Sequence, residues 1–381
     1  MAIADELLPL TFEHAAASLA SAAADGRSVR IRGGGTKLEW GLPGRAADLE
    51  LSTSALNRIV EHNAGDLTAV LEAGVTLDEA QRTFALADQM LALDPPLGAG
   101  NAATIGGVFA TGDCGPLRHR YGAPRDLVVG IAVALSDGAI ARAGGKVIKN
   151  VAGYDLAKLF SGSFGTLGLI LSVSVRLHPT PVATATALGG SRDPDVLAAA
   201  ARVLAGAPFE LEALDVAWRA GRGGVLARCA GTEAERRAQR AALAMSKAGL
   251  AQTEVALDDD ALWDRQRAGQ RSGSGVLMRV ATDPSALQDV LRAVESCGAT
   301  LVGRVALGSS YIDVPPDAAA RLADALPSGA RSIVLDAPAE LRRELDPWGR
   351  VDPASLELMR RIKARFDPAG VCNPGVFVGG I

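Results

Sequence analysis

Through the first half of the chain, short runs of apolar and β-branched residues alternate with glycine clusters. In the second half the clusters stop. The Ala-rich stretch TFEHAAASLASAAAD ends at Asp25-Gly26, a helix stop, and precedes the β-branched run SVRIR and the break GGGTK. The opening unit is therefore helix, strand, glycine loop. LTAVLEAG predicts a strand, and TLDEAQRTFALADQ a helix with Thr76 as N-cap and Glu79 at the capping-box spacing. MLAL predicts a strand running into Pro95-Pro96; DLVVGIAVAL, AIARA and LGLILSVSVRL predict three more, the last ending at His178-Pro179.

From about Val182 the pattern becomes regular. Strand VATATAL, helix DPDVLAAAARVLAG, strands LEALDVAW and GVLARCAG, helix TEAERRAQRAALAMSKAG and strand TEVAL give β-α-β-β-α-β order. A helical link, DDDALWDRQRAG, leads to a second set of the same order ending near Pro338. Two tandem split-βαβ units are predicted. PASLELMRRIKARFDPAG then predicts an amphipathic helix, and VCNPGVFVGGI a tail of turn residues.

Composition narrows the function classes. A chain of 381 residues, 48% hydrophobic, has room for two domains with a sizeable buried core. Its net charge of -4, with both signs mixed, argues against a nucleic-acid surface and for small-molecule or protein partners. Cys114, Cys229, Cys297 and Cys372 are scattered without a CxxC, which excludes a self-contained iron–sulfur or zinc site and suggests buried thiols in a reducing compartment. The start MAIADELLPL carries acids where a secretory peptide needs a basic region, and no run reaches about eighteen apolar residues. The expectation is a cytoplasmic chain without a transmembrane segment.

The glycine clusters carry the candidate chemistry. The dinucleotide fingerprint GxGxxG fails, because GSFGTLG is spaced GxxGxxG and GAGNAAT lacks its third glycine. The P-loop fails as well: Gly145-Lys146 is followed by Val147, and in GGGTK the threonine precedes the lysine. RGGGTK nevertheless follows a strand directly. Its consecutive glycines turn backbone N–H groups toward one anion, with Thr36 and Lys37 adding a hydroxyl and a charge, a set that fits a diphosphate. ATIGGVFATGDCG forms a second wall of small residues, and the two suggest a long, flat cofactor between them. The other reading of any one loop is tight turns and left-handed positions.

The stretches RIRGGGTKLEWG, PPLGAGNAATIGGVFATGDCG, RYGAPRDLVVGIAVALSDGAI, KNVAGYDLAKLFSGSFGTLGLILSVSVRLHP and RFDPAGVCNPG together resemble FAD-linked oxidases of the vanillyl-alcohol oxidase or p-cresol methylhydroxylase type. Within that family they are most similar to glycolate oxidase E subunits. The resemblance is strong from about Arg30 to Pro181, returns in the tail and is weak between. It implies an α+β fold: a two-subdomain PCMH-type FAD-binding domain over residues 1–181, a cap of tandem ferredoxin-like repeats over 182–338, and a helix and tail over 339–381 returning to the flavin domain.

The site residues follow from the same resemblance. Arg32, Gly33, Gly34, Gly35, Thr36 and Lys37 match the first pyrophosphate loop. Ala99, Gly100, Asn101, Ala102, Ala103 and Thr104, with Gly106 and Gly107, match the stretch along the diphosphate and ribityl chain. Thr111, Gly112, Asp113 and Cys114 correspond to residues near the flavin. Gly165, Thr166, Leu167, Gly168, Leu169 and Ile170 match the segment whose backbone passes it, and Asn373 opens the terminal Asn-Pro-Gly motif. FAD would be non-covalent, since members that tether it through this first loop carry a histidine where Gly35 stands. The implied function is an FAD-dependent oxidoreductase acting on CH–OH groups. It would oxidise glycolate to glyoxylate in a complex with a D subunit, a second flavoprotein, and an F subunit carrying iron–sulfur clusters. A free-standing 2-hydroxy-acid or alcohol oxidoreductase and a non-catalytic assembly subunit stay open.

Three departures bear on catalysis. Catalytic members carry a cap stretch GHxGDGNxH, whose counterpart here is GRVALGSSY with Arg304 in place of the first histidine. Phe164 stands where a glutamate is usual, and Cys372 where an aliphatic residue is. The four histidines, His14, His62, His119 and His178, are isolated, so no metal is expected. His119, beside the flavin region, is read as a solvated loop side chain with a catalytic role as the alternative, and Arg304 as a surface salt bridge with bidentate pairing to a carboxylate ligand as the alternative. Lys146 and Lys149 either contact an anionic ligand or partner subunit or lie on a solvated strand edge, and no catalytic residue is assigned. Trp40, Trp218, Trp263 and Trp348 are read as core or interface anchors.

Overall fold

The computed structural model describes residues 5–44, 46–146 and 155–381. The chain forms two compact units. One comprises residues up to Cys114, Tyr121–Thr180 and Arg350–Ile381; the other comprises Gly115–Arg120 and Pro181–Gly349.

In the first unit, helix Phe12–Ala24 is capped by Thr11, whose hydroxyl accepts from the His14 N–H, and it stops at Asp25 before Gly26. Its face of Ala15, Ala16, Leu19 and Ala22 packs on a parallel three-stranded sheet of Asp5–Leu7, Leu49–Ser52 and Val29–Arg32. An antiparallel sheet of five strands follows, in the order Ile59–Asn63, Thr68–Glu72, Leu169–Arg176, Val128–Ala134 and Ile140–Gly144. Helix Leu77–Ala85 begins where the sequence predicts, with the Thr76 hydroxyl accepting from the Glu79 N–H at 3.1 Å.

Two segments differ from the sequence-based expectation. MLAL contributes only Met90 to a two-residue strand, Gln89–Met90. Beyond it the Gln81 side-chain amide acts as the missing strand: its Nε2 donates to the carbonyls of Leu91 and Leu93, and its Oε1 accepts from the Leu91 N–H. The glycine-rich wall near residue 105 is a helix, Ile105–Thr111, despite two glycines that disfavour one. Thr104 caps it, and Gly112, at φ 64°, ends it. Gly106 lies so close to Ala73 that an added Cβ would meet the Ala73 Cβ at 2.7 Å.

In the second unit the two β-α-β-β-α-β sets share one sheet. Its order is Ala251–Ala256, Thr184–Ser191, Arg222–Ala230, Ala213–Arg219, Thr300–Arg304, Ser309–Val314, Val276–Ala281, Arg331–Asp336. Each set keeps ferredoxin-like order, and the sets join where Ala213–Arg219 pairs antiparallel with Thr300–Arg304. Helices Pro194–Gly206, Ala234–Lys247 and Leu287–Ser296 cover one face over a core that includes Trp218, Val225, Ala227 and Cys229. On the opposite face lies helix Asp260–Ala268, anchored by Trp263, whose indole N–H donates to the Thr186 hydroxyl at 2.9 Å. Buried Asp259 accepts from Arg228 at 3.0 Å and from Thr186 at 2.7 Å beside it.

That face also corrects the reading of Arg304. It lies on a central strand, 1% exposed, with its guanidinium 4.9 Å from the Tyr311 ring centroid, and is not a surface salt bridge. Replacing Thr76 with Ala is expected to lower stability by about 1 kcal/mol through loss of the helix cap, measured as a shift in the denaturant midpoint with an unchanged slope.

Candidate cofactor site

The strand Val29–Arg32 delivers the chain into Gly33, Gly34, Gly35 and Thr36. Among the described residues, none of the N–H groups of these four donates a hydrogen bond within the protein. Nearly all buried backbone donors find partners, so four consecutive open ones form a cradle for an anion. They line an open groove whose empty space, counting its solvent-filled mouth, is about 870 Å³. Gly106, Gly107, Ala110 and Thr111 form a second wall, and Phe164, Gly165, Gly168, Leu169 and Ile170 a third.

The glycines are small for more than one reason. A Cβ on Gly34 would overlap the Ala102 carbonyl oxygen, and one on Gly33 the Thr104 hydroxyl. Loop-to-loop packing thus fixes the first wall against residues 99–104. Gly165, at φ 70°, would bring a Cβ within 2.7 Å of the Asn373 amide nitrogen. The third wall is therefore set by contact with the C-terminal tail.

Asn373 makes that contact specific. Its Oδ1 accepts from the Ile31 N–H at 2.7 Å and its Nδ2 donates to the Phe164 carbonyl at 2.7 Å, tying the first and third walls together. Upstream, Asp367 is buried and accepts from the N–H groups of Val371 and Cys372. Lys363, one turn earlier on helix Pro353–Phe366, donates to Asp367 at 2.6 Å, to the Cys372 carbonyl at 3.0 Å and to the Thr166 carbonyl at 2.7 Å. Burial, with Asp367 close by, pushes the Cys372 thiol far up, so it stays protonated.

The cations around the first loop are paired inside the protein. Arg30 and Arg32 both bind Glu50, with Arg32 at 2.7 Å. Burial would raise the Glu50 carboxyl, yet hydrogen bonds and charge from Arg32 and Arg30 outweigh it and hold the group below its ordinary range. Lys37 lines the groove but is buried against Asp113 at 3.4 Å and 5.9 Å from the Trp40 ring centroid. Its charge is already matched, whereas the sequence suggested an anion partner.

Of the residues picked from the sequence, the groove brings together Gly33, Gly34, Gly35, Thr36, Lys37, Gly106, Gly107, Thr111, Gly165, Gly168, Leu169, Ile170 and Asn373. Arg32, Ala99, Gly100, Asn101, Ala102, Ala103, Thr104, Gly112, Asp113, Cys114, Thr166 and Leu167 are not among the residues lining it. Ala103 and Thr104 support it directly: the Ala103 carbonyl accepts from the Leu77 N–H, and the Thr104 hydroxyl accepts from the Gly107 N–H. Arg30, Thr53, Ala73, Phe164 and Val376 line it without having been picked. Ala110 could have been found, lying one helical turn from Gly106; Thr53 and Ala73 carry no local signal.

His119 is not the solvated side chain the sequence suggested. It lies on the short helix Arg118–Tyr121 with its Nδ1 enclosed and unpartnered, and burial, then the charge of Arg120, lowers its pKa. Lys146 pairs with Glu61 at the surface, and Lys149 lies outside the described residues.

The comparisons agree with this geometry. Residues 7–144 match the model of an FAD binding domain, and residues 349–377 that of the C-terminal domain of FAD linked oxidases. The glycolate oxidase subunit GlcE of Escherichia coli (strain K12) is 35% identical over 163 residues, 43% of this chain and 46% of that protein. The subunit GlcD of Bacillus subtilis (strain 168) is 39% identical over 158 residues, covering 41% and 33%. D-lactate dehydrogenase of Archaeoglobus fulgidus is 38% identical over 154 residues, covering 40% and 33%. The matches thus span a third to under half of these relatives. A solved alkyldihydroxyacetonephosphate synthase shares the fold at TM-score 0.71 and 14% identity, over 97% of this chain and 76% of that one. The N-terminal unit therefore carries an FAD-binding domain, and among the described residues no helix is long and apolar enough to cross a membrane.

Two outcomes test the site. Lys363→Met leaves Asp367 buried without its cation and is expected to cost about 3–5 kcal/mol in chemical denaturation; a loss below 1 kcal/mol would show that the tail needs no such lock. Glu50, with its lowered folded pKa, adds stability above the ordinary carboxyl value and loses it as pH falls through the folded value. The melting temperature is expected to fall below about pH 4, and to fall less in Glu50→Gln; equal acid sensitivity in both proteins would remove Glu50 from the account.

Proposed function

From the premise of an FAD-binding domain followed by the C-terminal element of FAD-linked oxidases, we propose that this chain is the FAD-binding E-type subunit of a glycolate-oxidising complex. It takes part in converting glycolate to glyoxylate and passes electrons to partner subunits. The observation that carries the reading is the groove, with four open N–H groups at Gly33–Thr36 and matched cations around them. Such a lining suits a diphosphate that spreads its charge over several backbone donors.

The protein's residues divide the work. Gly33, Gly34, Gly35 and Thr36 hold the diphosphate, and Gly106 and Gly107 let the main chain come close to the cofactor. Phe164, Leu169 and Ile170 supply apolar wall that excludes water. Asn373 keeps Phe164 and Ile31 in register. FAD held there would supply hydride acceptance from a 2-hydroxy acid and one-electron release to the partner subunits. Onward transfer needs an acceptor elsewhere, because Cys114, Cys229, Cys297 and Cys372 are each buried and, among the described residues, no group of three or more His, Cys, Asp or Glu could hold a metal ion. A flavoprotein D subunit and an iron–sulfur F subunit supply that chemistry. The buried Arg304, standing where catalytic members carry a histidine, supports a subunit that works in a complex and not a free-standing enzyme.

Titration of the purified chain with FAD is expected to saturate at one equivalent, and Asn373→Ala to weaken binding by about tenfold or more as two charge-free hydrogen bonds are lost. Anaerobic glycolate is then expected to bleach the visible flavin band only when the partner subunits are present. A folded chain that takes up no FAD overturns the cofactor assignment. Bleaching by the chain alone overturns the dependence on partners.

A further inference from the structure

The second unit holds a cavity of its own, at one end of the eight-stranded sheet and beneath the C-terminal half of helix Asp260–Ala268. Five arginines line it, Arg192, Arg219, Arg222, Arg265 and Arg271, against one acid, Asp313, in a protein whose net charge is -4. Arg271 donates to the Gln270 carbonyl. Among the described residues, the other four have no carboxylate within ion-pair distance.

Three of these form a row fixed by strand register. Arg219 pairs directly with Arg222 across the hairpin. Arg192 follows Ser191, which pairs with Gly223, and so comes level with Arg222 on its other side. Val225, Ala227 and Cys229 of the same strand point into the helix-covered core, which sends Arg222, Gly224 and Leu226 to the opposite face. Paired residues share a face at about 5 Å, and like charges directly opposite each other destabilise a sheet. All three are exposed, so water screens them, but among the described residues none is paired with a carboxylate.

The floor beside the row is bare. Gly190 and Gly224 pair with each other, and neither has a positive φ. A Cβ on Gly224 would meet only the Gly189 carbonyl oxygen, at 3.5 Å, and one on Gly190 only the Gly223 carbonyl oxygen, at 3.3 Å. Neither backbone strain nor a close neighbour demands glycine at position 224. Glycine weakens a strand interior, and one common reason for it there is close approach by a ligand.

We propose that this cavity binds a compact polyanion, a molecule with two or more linked carboxylate or phosphate groups, as a site separate from the flavin groove. The bare floor admits the body of the ligand. The row of Arg219, Arg222 and Arg192 takes its anionic groups from one side, with Arg265 reaching from the helix. Guanidinium groups suit both chemistries through paired N–H donors.

Calorimetric titration of the whole chain, saturated with FAD so that the groove is filled, tests the site with inorganic pyrophosphate and with citrate as probes. One equivalent of at least one probe is expected to bind, more weakly as salt rises, and to raise the melting temperature. The probe that binds assigns phosphate or carboxylate. The double substitution Arg219→Ala with Arg222→Ala is expected to weaken binding about tenfold or more. Gly224→Leu is expected to block the floor without changing charge or lowering the melting temperature of the free chain. Binding of neither probe, or binding that both variants leave unchanged, overturns the proposal. Capture of a polyglutamate peptide without either small anion overturns it too, and assigns the arginines to an acidic protein partner.

Discussion

The cofactor groove depends on one buried carboxylate. Asp367 lies at the end of the last helix with no exposure, so its charge has to be answered inside the protein. Lys363 and the N–H groups of Val371 and Cys372 answer it, and the same ammonium also reaches the Thr166 carbonyl. A segment distant in sequence is thereby fixed against the loop that carries Gly165. Asn373 then joins that loop to the first glycine loop through Phe164 and Ile31. Close packing of Gly33 and Gly34 against residues 99–104 fixes the first wall, and these hydrogen bonds add the register between it and the third.

The two cavities use charge in opposite ways. Around the groove each of these cations is paired with an acid, Arg30 and Arg32 sharing Glu50 and Lys37 meeting Asp113. What the groove offers is a set of backbone dipoles held in place, and these cost no desolvated charge when the site is empty. In the second unit, Arg192, Arg219 and Arg222 stand side by side and, among the described residues, none is paired with a carboxylate. The first arrangement suits a cofactor that stays, and the second a ligand whose charge completes the site.

The joined sheet shows how a repeat can be legible while its assembly is not. Each β-α-β-β-α-β set is visible in the order of strands and helices, because alternation and apolar spacing are local properties. The fusion of both sets into eight strands rests on the pairing of Asp215 with Arg304 and of Val216 with Gly303, residues far apart in the chain. Arg304 belongs to that same joining strand, and its burial was not legible in the sequence.

By itself the sequence determined the helix at Thr76, the glycine loop after Val29–Arg32, the paired repeats and the Asn-Pro-Gly tail, since caps, turns and period are written in neighbouring residues. It also carried the family signature of an FAD-binding chain. It did not reveal that Gly106 and Gly107 open a helix, where the contact with Ala73 and the Thr104 cap outweigh poor propensity. Nor did it reveal that Lys37 and Arg32 are balanced, that Thr53 and Ala73 line the groove, or that Leu91 and Leu93 meet the Gln81 side chain in place of a strand. Those outcomes depend on which distant atoms arrive at hydrogen-bonding or contact distance, and only the folded chain decides that.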